Sequence, residues 1–243
     1  MKNPKPIVLI TILLSVTAGY CDSVTFVSLQ EFFSSHVTGN LVVFAYDLVK
    51  HVDTGGWIKL LSFPVFIVGV IAGGAIDSHT KRPYLLLFIE GIILFLFGAI
   101  WLILFFTGNI PGETPEYIGA MTVVFAMGLQ NAFAKIHPKK TYGPTTMMTG
   151  LVIEAALNIG AVFRINGVYA LSEITLYRQL MTIGAFLFGC ISGALLGQWM
   201  GLSAFIFPGI FLVAYCLKTK LAVEDHQGVT RTLSTSVMKR IAN

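Results

Sequence analysis

The sequence predicts an all-α integral membrane protein of two repeated halves, each with three to four membrane segments and with broken or short helices at two Thr-Gly motifs. Only 12% of its 243 residues are charged and 55% are hydrophobic, whereas about a quarter of the residues of a soluble protein are charged. A chain this apolar would expose large hydrophobic patches to water. Long apolar runs and recurring short motifs are the other two observations behind the prediction.

Eight apolar segments are candidates for membrane helices, because crossing about 30 Å of hydrocarbon takes about 20 helical residues. The second and the eighth are clearly shorter than this length, and they contain Asp47 and Pro208, respectively. We therefore expect six to eight crossings. In chain order, the segments cover approximately residues 7–29, 37–49, 57–76, 84–106, 117–134, 145–163, 180–200 and 204–217.

The first segment is expected to be a retained membrane helix. Lys2 and Lys5 precede its apolar run as in a signal peptide, but no small-x-small cleavage site follows. Tyr20 also stands directly before Cys21, where a lipoprotein signal needs a small residue.

Short motifs recur in the same order in the two parts of the chain. Ser-Ser-His-Val-Thr-Gly ends at Gly39, and Thr-Thr-Met-Met-Thr-Gly ends at Gly150. Ala-Gly-Tyr-Cys-Asp ends at Asp22, and Met-Gly-Leu-Gln-Asn ends at Asn131, so the intervals within the two motif pairs are nearly equal. Duplicated halves are the usual construction of membrane transporters.

The chain thus divides into a first membrane repeat (1–112), a second membrane repeat (113–217) and a tail (218–243). Each repeat contains a Gly-x-x-x-Gly pair, at residues 69–73 and 189–193, of the kind that packs helices closely. The tail carries five basic and two acidic residues, as a cytoplasmic end near anionic lipid headgroups would. It lacks an aromatic-interleaved basic platform, so we expect no nucleic-acid partner.

Basic residues favour inverted halves. If the short second segment and its counterpart do not cross, three crossings remain in each half, and Arg82 lies on the same side as Arg164 and Arg178. The acidic loop at 109–116 then lies on the other side. The Lys-rich turn at 135–140 counts against this arrangement, and parallel halves stay open.

Four motifs resemble those of a known family. They are Thr-Ala-Gly-Tyr-Cys-Asp-Ser-Val-Thr-Phe (17–26), Ser-Ser-His-Val-Thr-Gly-Asn (34–40), Ala-Met-Gly-Leu-Gln-Asn-Ala (126–132) and Thr-Thr-Met-Met-Thr-Gly (145–150). Over about residues 10–217 the chain resembles the bacterial YoaK-like proteins of the DUF1275 family. The resemblance implies a multi-pass protein of the bacterial inner membrane and names no reaction. One departure is Leu151-Val152-Ile153, where such sequences carry a further polar residue.

Asp22 is the strongest candidate for a functional carboxylate, since an ionisable side chain at the centre of a bilayer costs about 2.5–3.5 kcal/mol. Gly19 lies one turn earlier on the same face and would let a neighbour approach. The repeat counterpart of Asp22 is Asn131, beside Gln130. Either these polar groups line a site between the repeats, or Asp22 caps a broken helix or bonds a neighbouring segment.

The Thr-Gly motifs predict helices that begin within the membrane. Their hydroxyls can bind a solute, and glycine permits a break in the helix. A helix starting there would direct the positive end of its dipole at an anion. Ordinary helix capping is the alternative. The residues concerned are Thr38, Gly39, Asn40, Thr149 and Gly150.

Three further titratable residues are candidates for a functional or a structural role. Glu154 lies four residues before Asn158 on one helix face, and we expect it to bind solute or relay protons. Glu90 stands amid hydrocarbon and is expected to be structural, protonated and hydrogen-bonded between helices. His36 is expected to be an interfacial polar residue and not a pH sensor.

The leading expectation is a secondary transporter or channel-like permease for a small solute near Asp22, Asn131 and Glu154, with an anion among the candidates and proton coupling as one option. The alternative is a non-transporting assembly partner or sensor. We expect no enzyme, cofactor or metal site, because no catalytic motif occurs and the cysteines lie in apolar stretches. The expected partners are the lipid bilayer and the solute, and homo-oligomers stay open.

Overall fold

The computed structural model describes residues 5–29, 31–50, 56–80, 82, 84–108, 112–142, 148–162 and 173–219. Each of the eight predicted segments contains a helix, and the described residues contain no strand, so the all-α class is confirmed. The helices are α1 (Lys5–Ser28), α2 (Val37–Lys50), α3 (Gly56–Thr80), α4 (Leu85–Thr107), α5 (Glu113–Ile136), α6 (Met148–Val162), α7 (Glu173–Met200) and α8 (206–219). A 3-10 turn, Gly201–Phe205, joins the last two.

Glycines bring three pairs of helices to backbone distance: α3 with α5, α1 with α7, and α4 with α8. A Cβ atom at Gly69 on α3 would lie 2.5 Å from the carbonyl oxygen of Phe125 on α5. On α1 and α7, a Cβ atom at Gly19 or Gly193 would overlap the backbone of the other helix. Only a residue without a side chain permits such contact. The predicted small-residue faces are therefore packing surfaces.

Contacts along each pair establish the helix directions. Residue numbers rise together where helices are parallel, and they rise against each other where helices are antiparallel. Two pairs are parallel: α1 and α7, by the contacts Gly189–Val16 and Gly197–Val24, and α3 and α5, by Gly69–Phe125 and Gly73–Ala132. Three pairs are antiparallel: α5 and α1, by Gln130–Leu14 and Tyr117–Leu29, α5 and α4, by Gly119–Phe97 and Phe133–Tyr84, and α4 and α8, by Gly98–Ile206 and Gly91–Leu212. Helices α1, α4 and α7 thus run one way, and α3, α5 and α8 run the other.

Five helical stretches of the described chain are long and apolar enough to cross a membrane: Ile7–Ser28, Gly56–Thr80, Leu85–Thr107, Pro115–Ile136 and Thr175–Thr219. The last contains α7 and α8, between which the chain reverses at Gly201, whose φ of 58° suits glycine. Within the described residues, α2 and α6 have 14 and 15 residues, fewer than the roughly 20 that a crossing takes. The protein is therefore a multi-pass membrane protein.

The helix directions also place the Lys-rich turn after α5. Both α3 and α5 run toward the same end, so this turn lies at the end where Arg82 follows α3. The objection that the turn at 135–140 raised against inverted halves is therefore wrong. The acidic segment before α5 lies at the opposite end, as the inverted arrangement requires.

Candidate functional site

The first Thr-Gly motif begins a short helix whose start is held by Asp22. The segment before Val37 is not helical. Asp22 Oδ1 accepts hydrogen bonds from the N–H groups of Ser35 (2.6 Å) and His36 (3.2 Å), and Oδ2 pairs with His36 Nδ1. Asp22 is only 4% exposed. A carboxylate at a helix N-terminus is favoured by the dipole and by charge-assisted bonds, so Asp22 caps the start of α2 from α1.

The remaining residues of this motif hold the segment that precedes α2, residues 31–36, against the helix. Asn40 is buried, and its side chain accepts from Phe33 N (2.8 Å) and donates to Phe33 O (2.7 Å) and Ser62 Oγ (2.9 Å). A Cβ atom at Gly39 would lie 2.9 Å from the Phe33 ring. Thr38 is exposed. Of this motif, Asn40 is thus a structural clamp, while Thr38 stays accessible.

An open groove of about 550 Å³ lies beside the start of α2, between α1 and α7. Its polar lining comes from Asp22, Ser23, His36 and Thr38, and its remaining surface is mostly apolar. The His36 ring stands edge-on to Phe186 of α7, with centroids 5.5 Å apart. A titratable pair is thus in contact with a cavity that a small solute can enter.

The second Thr-Gly motif also begins a short helix, at Met148. Thr149 and Gly150 are exposed in its first turn. The preceding residues, 143–147, lie outside the described residues. Upstream, Asn131 donates to the carbonyl of the preceding turn (2.8 Å), and Gln130 Nε2 donates to Leu14 O (3.0 Å). Gln130 thereby ties α5 to α1 in the buried interior.

Glu154 lines a second cavity, of about 400 Å³, between α6, α7 and the turn after α5. Its Oε2 accepts a hydrogen bond from Gln179 Nε2 (3.0 Å), and Gln179 Oε1 accepts one from Asn158 (2.6 Å). This cavity and the groove at Asp22 share no lining residue. The predicted site residues are thus divided: Asp22, Thr38 and Gly39 line the groove, Glu154 lines the second cavity, and Gln130 and Asn131 line neither.

A family model described as "Protein of unknown function (DUF1275)" matches residues 10–217. The chain belongs to this family. The membership in DUF1275 that the motifs indicated is therefore confirmed, and the DUF1275 region includes both Thr-Gly motifs and both cavities. No curated protein and no solved structure matches the chain significantly. The function of this DUF1275 protein must therefore be argued from its own residues.

Two residues of this DUF1275 chain that sequence reasoning underrated form a buried ion pair. Asp47 stands near the end of the second apolar segment, on α2, yet it is buried, and its Oδ2 lies 2.6 Å from Nζ of the equally buried Lys59 on α3. The spacing of residues in the sequence contains a signal for this pair. The interval from Asp47 to Asn158 equals the interval between the two Thr-Gly motifs, and the interval from Lys59 to Gln179 equals the interval between the two Gly-x-x-x-Gly pairs.

His36 and Glu90 also differ from expectation. His36 is the partner of Asp22 and not merely an interfacial residue. Glu90 is fully buried, as expected. Within the described residues, neither of its carboxyl oxygens has a hydrogen-bond partner, so the expected hydrogen bond between helices is not found there. Among the residues that the structure describes, the three cysteines form no disulfide, and no cluster of three metal-ligating side chains occurs.

Proposed function

We propose that this protein is a secondary transporter or channel-like permease for a small solute, built from two inverted repeats with one half-length helix each. Helices that begin within the membrane are a common source of transporter sites, since their free backbone groups must face protein or water. The observation that carries the proposal is the pair of Asp22 and His36, which holds the start of such a helix at an open groove.

The helix packing supports the inverted repeat. The first helix of each half packs at backbone distance on the long third helix of the other half, α1 on α7 and α5 on α3. In addition, α1 and α5 run in opposite directions. A two-fold axis in the membrane plane relates elements in this way.

The polar clamps of the two halves support the same assignment. In the first half, the charged pair Asp47 and Lys59 joins α2 to α3. In the second half, the neutral pair Asn158 and Gln179 joins α6 to α7 at the equivalent positions. Each pair thus fastens the short helix of its half to the next long helix.

Proton coupling would act through the cap on α2. The two backbone N–H groups that Asp22 Oδ1 accepts are bound more strongly while the carboxylate is charged. Protonation of Asp22 would weaken this hold, free the start of α2 and change the shape of the groove. An anionic solute could then compete for the same amides.

The test uses reconstituted vesicles that contain a pH-sensitive dye. Candidate solutes are added one at a time, and the wild type should give a solute-dependent proton flux that Asp22→Asn loses. Asp77→Asn is the matched control, because Asp77 forms another Asp–His pair, 2.8 Å from Nε2 of His137 and away from the groove. Equal flux in Asp22→Asn and the wild type would contradict the proposed role of Asp22.

One observation favours the alternative of a non-transporting assembly partner or sensor. The two cavities share no residue, and α1 and α7, which line the groove, are packed on each other at backbone distance. A wild type that gives no flux with any solute in the vesicle assay would support this alternative.

A further inference from the structure

Two opposite charges line the second cavity without pairing. Arg178 and Glu154 both face this space of about 400 Å³. Neither takes part in an ion pair among the described residues. Opposite charges that share a cavity but do not meet leave room for a ligand that contacts both.

Each charge is held in position by neighbours. The Arg178 guanidinium lies over the Tyr142 ring, with Cζ 4.6 Å from the ring centroid, and this stacking leaves the N–H edge of the guanidinium available. The Tyr142 backbone N–H donates to Thr11 Oγ1 of α1 (3.1 Å), which holds the main chain at Tyr142 against α1. Glu154 is held by Gln179. Charges positioned in advance bind a ligand at a lower entropic cost.

The first half provides an internal control for these charges. At the spacing of the proposed repeat, the position of Glu154 corresponds to Val43 and that of Arg178 corresponds to Ile58. The first half keeps the polar clamp between its short helix and the next long helix and has apolar residues at both of these positions. The fold of a half therefore does not require the two charges, which points to a ligand as their purpose.

We propose that this cavity binds a small zwitterion of the amino-acid type, with the ligand carboxylate on Arg178 and the ligand ammonium on Glu154. A planar guanidinium binds a carboxylate through two parallel hydrogen bonds. The cavity is within the size range of small-molecule sites, and Thr141, Thr175 and Thr182 add hydroxyl groups to its lining. This inference goes beyond the proposed function, because the cavity shares no lining residue with the groove at Asp22.

The test is ligand binding to the purified full chain in detergent. The probes are the twenty standard amino acids and glycine betaine. Each is compared with two analogues: one without the positive charge, as an N-acylated compound or simple acid, and one without the carboxylate, as an ester or amide. At least one zwitterion should raise the melting temperature, since a ligand stabilises the folded state it binds. Its single-charge analogues should not.

Two variants locate the site, and a third controls for charge. Arg178→Met and Glu154→Gln should each weaken zwitterion binding, measured by calorimetry, on the order of tenfold to a hundredfold, as expected for the loss of charge-assisted bonds. Arg82→Gln removes an exposed charge at the same end of the molecule and should bind like the wild type. The melting temperature without ligand shows whether each variant is folded.

The outcomes separate this inference from the proposed function. Zwitterion binding that depends on both charges, without flux in vesicles, would keep the site and overturn transport. Zwitterion binding that Arg178→Met and Glu154→Gln leave unchanged would overturn the site and would leave transport at the groove unaffected. A wild type that binds none of the probes would overturn the site as well.

Discussion

Glu90 is a fully buried carboxyl group in the second turn of α4. Within the described residues, neither of its oxygens has a hydrogen-bond partner. Cys21 of α1 and Cys216 of α8 lie within electrostatic range of it, and a thiol is a poor partner for a carboxyl group. A buried polar group left without a bond costs about 1–3 kcal/mol, so Glu90 lowers the stability of the bundle.

We expect Glu90→Met to raise the free energy of unfolding by about 1–3 kcal/mol, because it removes this unmet polar group at similar volume. Glu90→Gln should have little effect, since it exchanges one unbonded polar group for another. Thermal unfolding of the purified protein in detergent measures both. Leu94→Met, at a buried position one turn further along α4, reports the cost of accommodating methionine. A Glu90→Met protein less stable than Leu94→Met would show that Glu90 has a partner that the prediction ignores.

At the scale of the elements, the buried pair of Asp47 and Lys59 decides how α2 attaches to α3. Removing one member leaves the other charge buried alone, which costs about 3–5 kcal/mol. We therefore expect Asp47→Asn or Lys59→Gln to lower the free energy of unfolding by about that amount. The double variant recreates the amide pair of Asn158 and Gln179 in the second half, and it should recover most of the loss.

A double-mutant cycle on thermal or denaturant unfolding measures this recovery. The coupling energy isolates the pair from the separate effects of each substitution. Losses of the two single variants that simply add in the double variant would contradict the prediction, and with it the equivalence of the two clamps.

Substitutions at two neighbouring glycines on α3 distinguish the effect of packing on stability from the effect of helix propensity. A Cβ atom at Gly73 would lie 2.6 Å from the Cβ atom of Ala132, whereas one at Gly74 would meet nothing within 4 Å. Gly73→Ala should lower the free energy of unfolding by about 1–3 kcal/mol through overpacking. Gly74→Ala should leave it unchanged or raise it by up to about 1 kcal/mol, because alanine favours the helix. Equal melting temperatures for the two variants would refute the packing role of Gly73.

The elements could be predicted from apolar length alone, and most of the candidate site could not. Seven of the eight segments begin close to the predicted residue, but α7 begins at Glu173 and not near 180, because its first two turns carry polar residues such as Arg178. Apolar runs mark where lipid contacts a helix, and they miss a helical end that faces a cavity. The partners of Asp22 and Lys59 depend on contacts between helices, which a list of segments does not contain.

For the whole molecule, the helix directions predict which exposed residues share a side of the membrane. Arg82 and Lys139 lie at one end of the bundle and Gly112 lies at the other, and all three are exposed. With the basic end in the cytoplasm, a membrane-impermeant maleimide applied to intact cells should label Gly112→Cys and should not label Arg82→Cys or Lys139→Cys.

The labelling requires a background in which Cys21, Cys190 and Cys216 are replaced. Disrupted cells supply the control, because all three single-cysteine variants should react there. Eight crossings with a cytoplasmic N-terminus would reverse the pattern, with Arg82→Cys and Lys139→Cys labelled from outside and Gly112→Cys protected. That pattern would exclude the inverted arrangement.

The reciprocal packing of α1 on α7 has a consequence for biosynthesis. Ribosomes add about 5–20 residues per second, so Gly19 emerges on the order of ten seconds before Gly189 and Gly193 of its partner helix. During that interval the face of α1 around Gly19, which packs on α7 in the folded protein, can contact only lipid or the insertion machinery. Maturation therefore cannot proceed one half at a time, and the first half made alone would lack the helix that covers α1. A gene split between the halves should yield a folded protein only when both fragments are synthesised in the same cell.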